Sequence, residues 1–209
     1  MNVLISGLPK TVNVNGSPFL IKQNFSVWIA FTKLMLDKSV PNFEKILRAI
    51  RLCFPKDNMP PHKTPNEIYY AFNAIMWFYT MGEDEVDEKT GKITRKDNPR
   101  IRHKSLRVLD YDYDQEYIVG AFQQLYEIDL TVENIHWWRF KMLFNSLTKE
   151  TKLVEIMGYR SMEINPKWDE SHRKFYQDMK ILYALPDNRT EEEKERDFQE
   201  QLNNALGGG

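Results

Sequence analysis

Cysteine is nearly absent from the 209 residues: Cys53 stands alone, so no intramolecular disulfide can form. That usage suits a reducing compartment and removes a disulfide framework from consideration. Histidine is scarce as well, with four in the chain. No glycine-rich phosphate loop is present, because Gly91 and Lys92 lack the upstream glycine at Walker spacing, and neither G-x-G-x-x-G nor G-x-S-x-G occurs. Net charge is nearly missing too, at −1, so there is no global field to draw in nucleic acid or an anionic membrane. No apolar run reaches the roughly 20 residues needed to cross a bilayer; the longest, Ala71 to Tyr79, is broken by Asn73. The first residues lack a charged n-region and a long apolar stretch, so no signal peptide is read. The expectation is a soluble intracellular protein.

What is present is core material. Hydrophobic residues make up 42% and aromatics 13%, and a chain of this length removes roughly 70% of its extended surface from water on folding. The sequence predicts a mainly α fold, a helical bundle with a short N-terminal β-hairpin. Three parts are expected: residues 1–23 as a hairpin packed on the bundle, 24–186 as a helical domain with a charged excursion at 83–107, and 187–209 as a charged C-terminal helix with a Gly tail.

The first 23 residues read as β: Thr11 to Val14 alternates, Asn15-Gly16 is a tight-turn signal, and Pro18 to Lys22 follows. From Asn24, a candidate N-cap, the period becomes helical, with Phe25, Trp28, Ile29, Thr32, Met35 and Leu36 on one face. Pro41 starts the next helix, striped by Phe43, Ile46, Leu47, Ile50 and Cys53. Cys53 on that stripe reads as a small buried apolar group, with no charged neighbour to activate its thiol. Thr64, Pro65 and Glu67 form a capping box with proline at the first helical position, opening a helix that Gly82 closes.

Next, Glu83, Asp84, Glu85, Asp87 and Glu88 precede eight Lys or Arg in the positions from Lys89 to Arg107. This stretch reads as a solvated excursion, a loose hairpin turning at Lys89 to Lys92. Its basic part lacks aromatic residues for stacking on bases, and the adjacent acids repel a polyanion, so nucleic acid is not the expected partner. Four further helical patterns follow: Asp112 to Tyr126, Val132 to Leu147, Thr151 to Met157, and one from Asp169 through Phe175, Met179 and Leu182. Thr190 and Glu193 form a second capping box before a terminal helix whose stripe is only Phe198, Leu202, Ala205 and Leu206. So thin a stripe packs late or binds a partner.

Two metal sites have partial signatures. Asp110, Asp112 and Asp114 alternate like the start of a calcium loop, but Gln115 and Ala121 stand where glycine and a bidentate glutamate are required. Acidic groups at a helix start explain them better. Glu133 and His136 have the i, i+3 spacing of di-iron bundles, echoed by Asp169 and His172, without the further bridging glutamates. His136 reads more simply as a polar neighbour of the tryptophans. No catalytic constellation is found, and no metal or cofactor is expected.

The richest stretch is built on Trp137 and Trp138. Trp137, Phe140, Phe144 and Leu147 make one face of their helix, and Ile135, Trp138 and Met142 another, which places the helix centrally. In the preceding helix Ile118, Ala121, Phe122 and Leu125 share a face, and Gly120 with Ala121 would let a neighbour approach closely. The tryptophans read as core; an exposed one becomes a partner anchor. Asp112-Tyr113-Asp114, Ile118, Ala121-Phe122-Gln123, Tyr126, Ile128-Asp129-Leu130, His136 to Phe140, and Ile156-Met157 with Tyr159-Arg160 resemble the bacteriophage gene-product-fifteen family of tailed siphophages and prophages. The N-terminal hairpin leading into Phe25 to Ile29 is similar as well.

The resemblance implies a tail-gene context and a tail-assembly protein, chaperone-like, binding the tape-measure protein, the tail-tube protein or both. It further implies residence in the host cell cytoplasm or in the virion tail, with self-association an open alternative. Candidate partner-binding residues are Trp137, Trp138, Phe198, Leu202, Leu206, Arg95, Lys96, Arg100 and Arg102. A second reading is a structural component of the tail. A third is a metal-dependent helical-bundle enzyme on Glu133, His136 and His172, which would carry stoichiometric iron, manganese or zinc when purified.

Overall fold

A computed structural model of the chain describes residues 2–82, 107–187, 195–196 and 198–199, and the backbone of 84–86 and 93–95. The turn at Lys89 to Lys92, the capping box at Thr190 and Glu193, and the glycine tail lie outside the described residues, as do Leu202, Ala205 and Leu206. The described residues are mainly helical, with eight α-helices and two two-stranded antiparallel sheets. The chain divides into two units, residues 1–105 with 114–155, and residues 106–113 with 156–209.

In the first unit β1 (Thr11–Val14) pairs with β2 (Ser17–Leu20) in the register Thr11 to Leu20. Asn15 and Gly16 both take positive φ, 50° and 85°, the mirror-image turn that suits the twist of a hairpin. Val12 and Val14 point inward and β1 lies on α4 (Pro65–Tyr79). Not all of the first 23 residues are β. Asn2 caps a helical turn, α1 (Val3–Ser6), and Gly7 at φ 70° ends it.

Helices α2 (Phe25–Leu36), α3 (Asn42–Cys53) and α4 pack in sequence order. Their buried faces depart from the predicted stripes. Phe31 is buried beside Trp28 whereas Leu36 is exposed, and Phe43 is exposed whereas Lys45 and Ala49 are buried. Lys45 goes inside because its ammonium donates to the Met35 carbonyl (2.9 Å) at the end of α2, leaving its stem to pack. Cys53 is fully buried, and burial raises its thiol pKa against the nearby charge of Lys22.

The capping box at α4 is complete. Thr64 Oγ1 accepts from the Glu67 amide, and the Glu67 carboxylate accepts from the Thr64 amide. At the other end Gly82 is not the left-handed residue immediately after the cap; Met81 is, at φ 63°. The Gly82 amide reaches the Trp77 carbonyl (2.8 Å) and the Met81 amide that of Phe78 (3.3 Å), the paired bonds of a Schellman ending. Beyond it the backbone of β3 (Asp84–Val86) pairs with β4 (Ile93–Arg95), Asp84 opposite Arg95.

Helix α5 (Gln115–Tyr126) buries Ile118, Ala121 and Phe122. Gly120 is exposed with nothing within 4 Å of where a Cβ would stand, so it is not a point of close helix approach. Helix α6 (Trp137–Asn145) starts five residues later than the apolar period suggests. The chain turns at Leu130 to Val132, and the residues directly before α6 pair with the start of α2. The Phe25 amide donates to the Ile135 carbonyl (3.0 Å) and the Trp137 amide to that of Gln23 (2.6 Å). Each helix thereby satisfies the other's first orphan donor, and Asn24 makes no side-chain cap.

The boundary between the units falls within α7 (Lys152–Ser161). In the second unit α8 (Glu170–Leu182) begins at the side-chain cap Asp169, as predicted, but none of its residues is buried. Among the described residues no helix is long and apolar enough to cross a membrane.

Two substitutions at the end of α4 should act in opposite directions. Met81→Gly relieves a left-handed side chain and should stabilise by about 1 kcal/mol. Gly82→Ala sets a Cβ 3.3 Å from the Trp77 ring at φ 75° and should destabilise; denaturant melts of both would test the pair. Cys53 should resist alkylation in the folded protein and react at the rate of unfolding, which a thiol-labelling time course reads directly.

Candidate partner-binding surfaces

The tryptophan pair was the first candidate, and its geometry is that of a core. Trp137 and Trp138 are 2% and 1% exposed. Both indole N–H groups are aimed at the end of α4: Trp138 Nε1 donates to the Phe78 carbonyl (2.7 Å) and Trp137 Nε1 to that of Tyr79 (3.1 Å). Lys141 Nζ, one turn along α6, donates to the same Tyr79 carbonyl (3.2 Å) and lies over the Tyr79 and Trp137 rings. The last turn of a helix carries carbonyls without intrahelical partners and a partial negative charge. Two indoles and one ammonium meet both needs.

Around this junction the rings are continuous. Trp28 stacks on Phe78 (4.8 Å between centroids), Trp137 on Phe140 (5.7 Å), and Phe140 on Phe122 (5.0 Å), joining α2, α4, α5 and α6. Such pairs each contribute about 1 kcal/mol beyond area burial. Neither tryptophan presents a surface to a partner; the packing role is the one the structure carries.

His136 precedes the pair, and both its ring nitrogens are used. Nδ1 accepts the Trp138 amide (3.0 Å), capping α6, and Nε2 bonds the Pro9 carbonyl (3.0 Å). Burial lowers its pKa, against the Pro9 carbonyl, which favours the charged form. Glu133, its neighbour in the metal hypothesis, has Oε1 on the Asp129 amide (3.1 Å). His172 belongs to the second unit and clusters with Trp168 (4.9 Å) and Tyr176 (5.3 Å), which also touch each other. Among the described residues no group of three or more His, Cys, Asp or Glu could hold a metal ion. In the aspartate triplet, Asp110 accepts the amides of Asp112 (2.8 Å) and Tyr113 (2.9 Å) and pairs with Arg107.

Within the second unit Arg160 is the anchor. It is 8% exposed, and its guanidinium donates to the carbonyls of Tyr183 (2.6 Å) and Val108 (3.0 Å) with the Tyr113 ring 6.0 Å away. One side chain thus ties α7 to the segment before α5 and to the end of α8. Lys180 of α8 donates back to the Met162 carbonyl (2.6 Å) just past α7.

With these ties made, α8 still shows solvent a set of large apolar groups. Phe175, Ile181 and Leu182 are 47%, 75% and 63% exposed. Phe198, one of the sequence candidates, is exposed too. Leu202, Leu206, Lys96, Arg100 and Arg102 lie outside the described residues, and of Arg95 only the backbone, in β4, is described. On the first unit Leu4, Ile5, Leu36 and Phe43 are exposed, and a hollow lies between the hairpin and the start of α4, lined by Val14, Phe19, Pro61, Glu67 and Tyr70.

The segments that carry this architecture, from α1 through the Trp-Trp junction to the end of α8, are spanned by one family match. The sequence model described as Bacteriophage Gp15 protein aligns with residues 4–185. The chain belongs to that family. Its Gp15 match takes in the hairpin, the mutual cap of α2 and α6, Arg160 and the whole of α8, and stops before the acidic terminal stretch. No curated protein and no solved structure matches the chain.

The sequence marked Arg160 only as a member of a pattern, and His136 as a metal candidate or a polar neighbour of the tryptophans, not as a cap. The signal for His136 was its place directly before an aromatic helix, where a side-chain acceptor is needed. Trp138→Phe keeps a ring but removes a buried donor and some volume, and should cost about 2 kcal/mol or more. Arg139→Ala on the exposed side of the same helix should stay within about 0.5 kcal/mol. Equal effects in urea melts would mean the indole bond does not hold α4.

Proposed function

We propose that this Gp15 protein is a tail-assembly factor of the phage, chaperone-like, which works without catalysis by covering apolar helical segments of the tape-measure protein, the tail-tube protein or both. The observation that carries this reading is α8. It lies inside the family match, is held in place by Lys180 and by the Arg160 bond to Tyr183, and leaves Phe175, Ile181 and Leu182 to solvent. A soluble monomer does not ordinarily leave so many large side chains on one short helix uncovered, and such groups mark interaction sites. Helical partners are suited to an amphipathic helix of this length, and Phe175 and Leu182, seven positions apart, stand on one face at two-turn spacing. The exposed Phe198 and the stripe it begins extend the same character toward the C-terminus.

Co-expression with the phage's tape-measure protein tests the proposal. The expected result is a recoverable complex and a soluble fraction of the tape-measure protein raised several-fold. Substituting Phe175, Ile181 and Leu182 by serine should abolish both while leaving the melting profile of the free protein nearly unchanged, since these residues are not core. If the tape-measure and tube proteins neither bind nor gain solubility, the assembly-factor reading falls.

A further inference from the structure

The start of α6 is where four parts of the first unit meet. The N-terminal stretch arrives through the Pro9 carbonyl, α2 through the Asn24 to His136 bridge, α4 through the Phe78 ring, and α6 through the Trp138 amide. The His136 ring touches three of them, with the Phe78 centroid 5.5 Å from its own. An amide N–H can only donate, so Nδ1 must carry a lone pair to receive Trp138; the proton therefore sits on Nε2, which donates to the Pro9 carbonyl. The geometry admits a single neutral tautomer. A second proton would have to go on Nδ1, where it faces the Trp138 N–H, donor against donor.

We infer that His136 is an acid-release latch: while neutral it pins the N-terminal segment and caps α6, and on protonation the ring leaves this socket, freeing the Trp138 amide and the Pro9 carbonyl together.

Among the described residues no neighbouring charge substitutes for the proton. Lys10 beside Pro9 and Arg139 on α6 are exposed. Lys22, before α2, donates to the Leu52 carbonyl, and Lys141 to that of Tyr79. The Glu133 carboxylate takes the Asp129 amide, and on α4 the Tyr79 hydroxyl meets Thr32 (3.0 Å). The direction follows from linkage. Burial holds the folded ring's pKa below the ordinary 6.5, so the unfolded or released state binds the proton more readily. The latch contributes its full stability above about pH 6.5 and loses it as pH falls below that through the folded pKa. The acids with lowered pKa, among them Asp37, Glu67 and Asp129, lose their contributions only at lower pH.

Amide hydrogen exchange of the full chain at pH 7.5 and pH 5, expressed as protection factors, tests this. In the wild type, protection at Trp138 and along β1 should drop about fivefold to tenfold at the lower pH, the scale of one lost cap. His136→Asn retains a capping oxygen that does not titrate, and should remove the pH-dependent part of the drop. His136→Ala should be poorly protected at both pH values. Should either variant fail to fold, NMR of the wild type decides: the His136 ring and the Trp138 amide should titrate with one midpoint below 6.5. Equal protection at both pH values, the same drop in His136→Asn, or separate midpoints would overturn the latch.

Discussion

Everything in the first unit depends on how the C-terminus of α4 is closed. A helix end holds several carbonyls that nothing in its own backbone can satisfy, and here the end is half-buried among rings, with the Phe78 carbonyl inside. Trp137, Trp138 and Lys141 supply the donors from α6, and the Schellman turn at Met81 and Gly82 supplies the rest. Because the two indoles are also, with Trp28, the largest groups in the core, the hydrogen bonds and the packing fix one another. The rings cannot shift without orphaning carbonyls, and the carbonyls cannot be solvated without opening the core. The Trp137-Trp138 pair is thus a capping device as well as apolar mass.

The same solution recurs at other helices. The end of α2 receives Lys45, the end of α3 Lys22, the end of α8 Arg160, and the residue just past α7 receives Lys180. In each case a cation from a different element meets the negative end of a helix, a pairing favoured by both hydrogen bonding and the helix dipole. This places cations where a count of surface ion pairs would miss them. It also explains how a chain with almost no net charge can use its lysines as internal fasteners rather than as a field for an anionic partner.

Local signals were legible where local chemistry decides. Asn15-Gly16 produced the hairpin, and Thr64 with Glu67 produced the capping box, because each needs only its own neighbours. The α6 start was misread by the apolar period, since Val132 to His136 could continue a helix, whereas Val132 turns back on Asp129 and Ile135 to Trp137 pairs with a segment more than a hundred residues away. The predicted stripe held Phe43 and left out Lys45 because the deciding partner, the carbonyl of Met35, is a backbone atom with no trace in the side-chain pattern. Of the nine candidate site residues, the two tryptophans turned inward and Phe198 outward; the uncovered face of α8 could not be read from its stripe, since burial of a stripe depends on what lies opposite it.

The reciprocal cap of α2 and α6 also bears on how the chain is made. The acceptor for the first amide of α2 lies about 110 positions downstream, and at ribosomal speed that separation corresponds to on the order of ten seconds. During that interval Trp28 and Phe78 are synthesised before Trp137 and Trp138, which later pack on them. The nascent N-terminal half therefore waits as an aromatic surface with an open helix end. Its folding is closed by a late, long-range event, which makes topology rather than helix propensity the slow step.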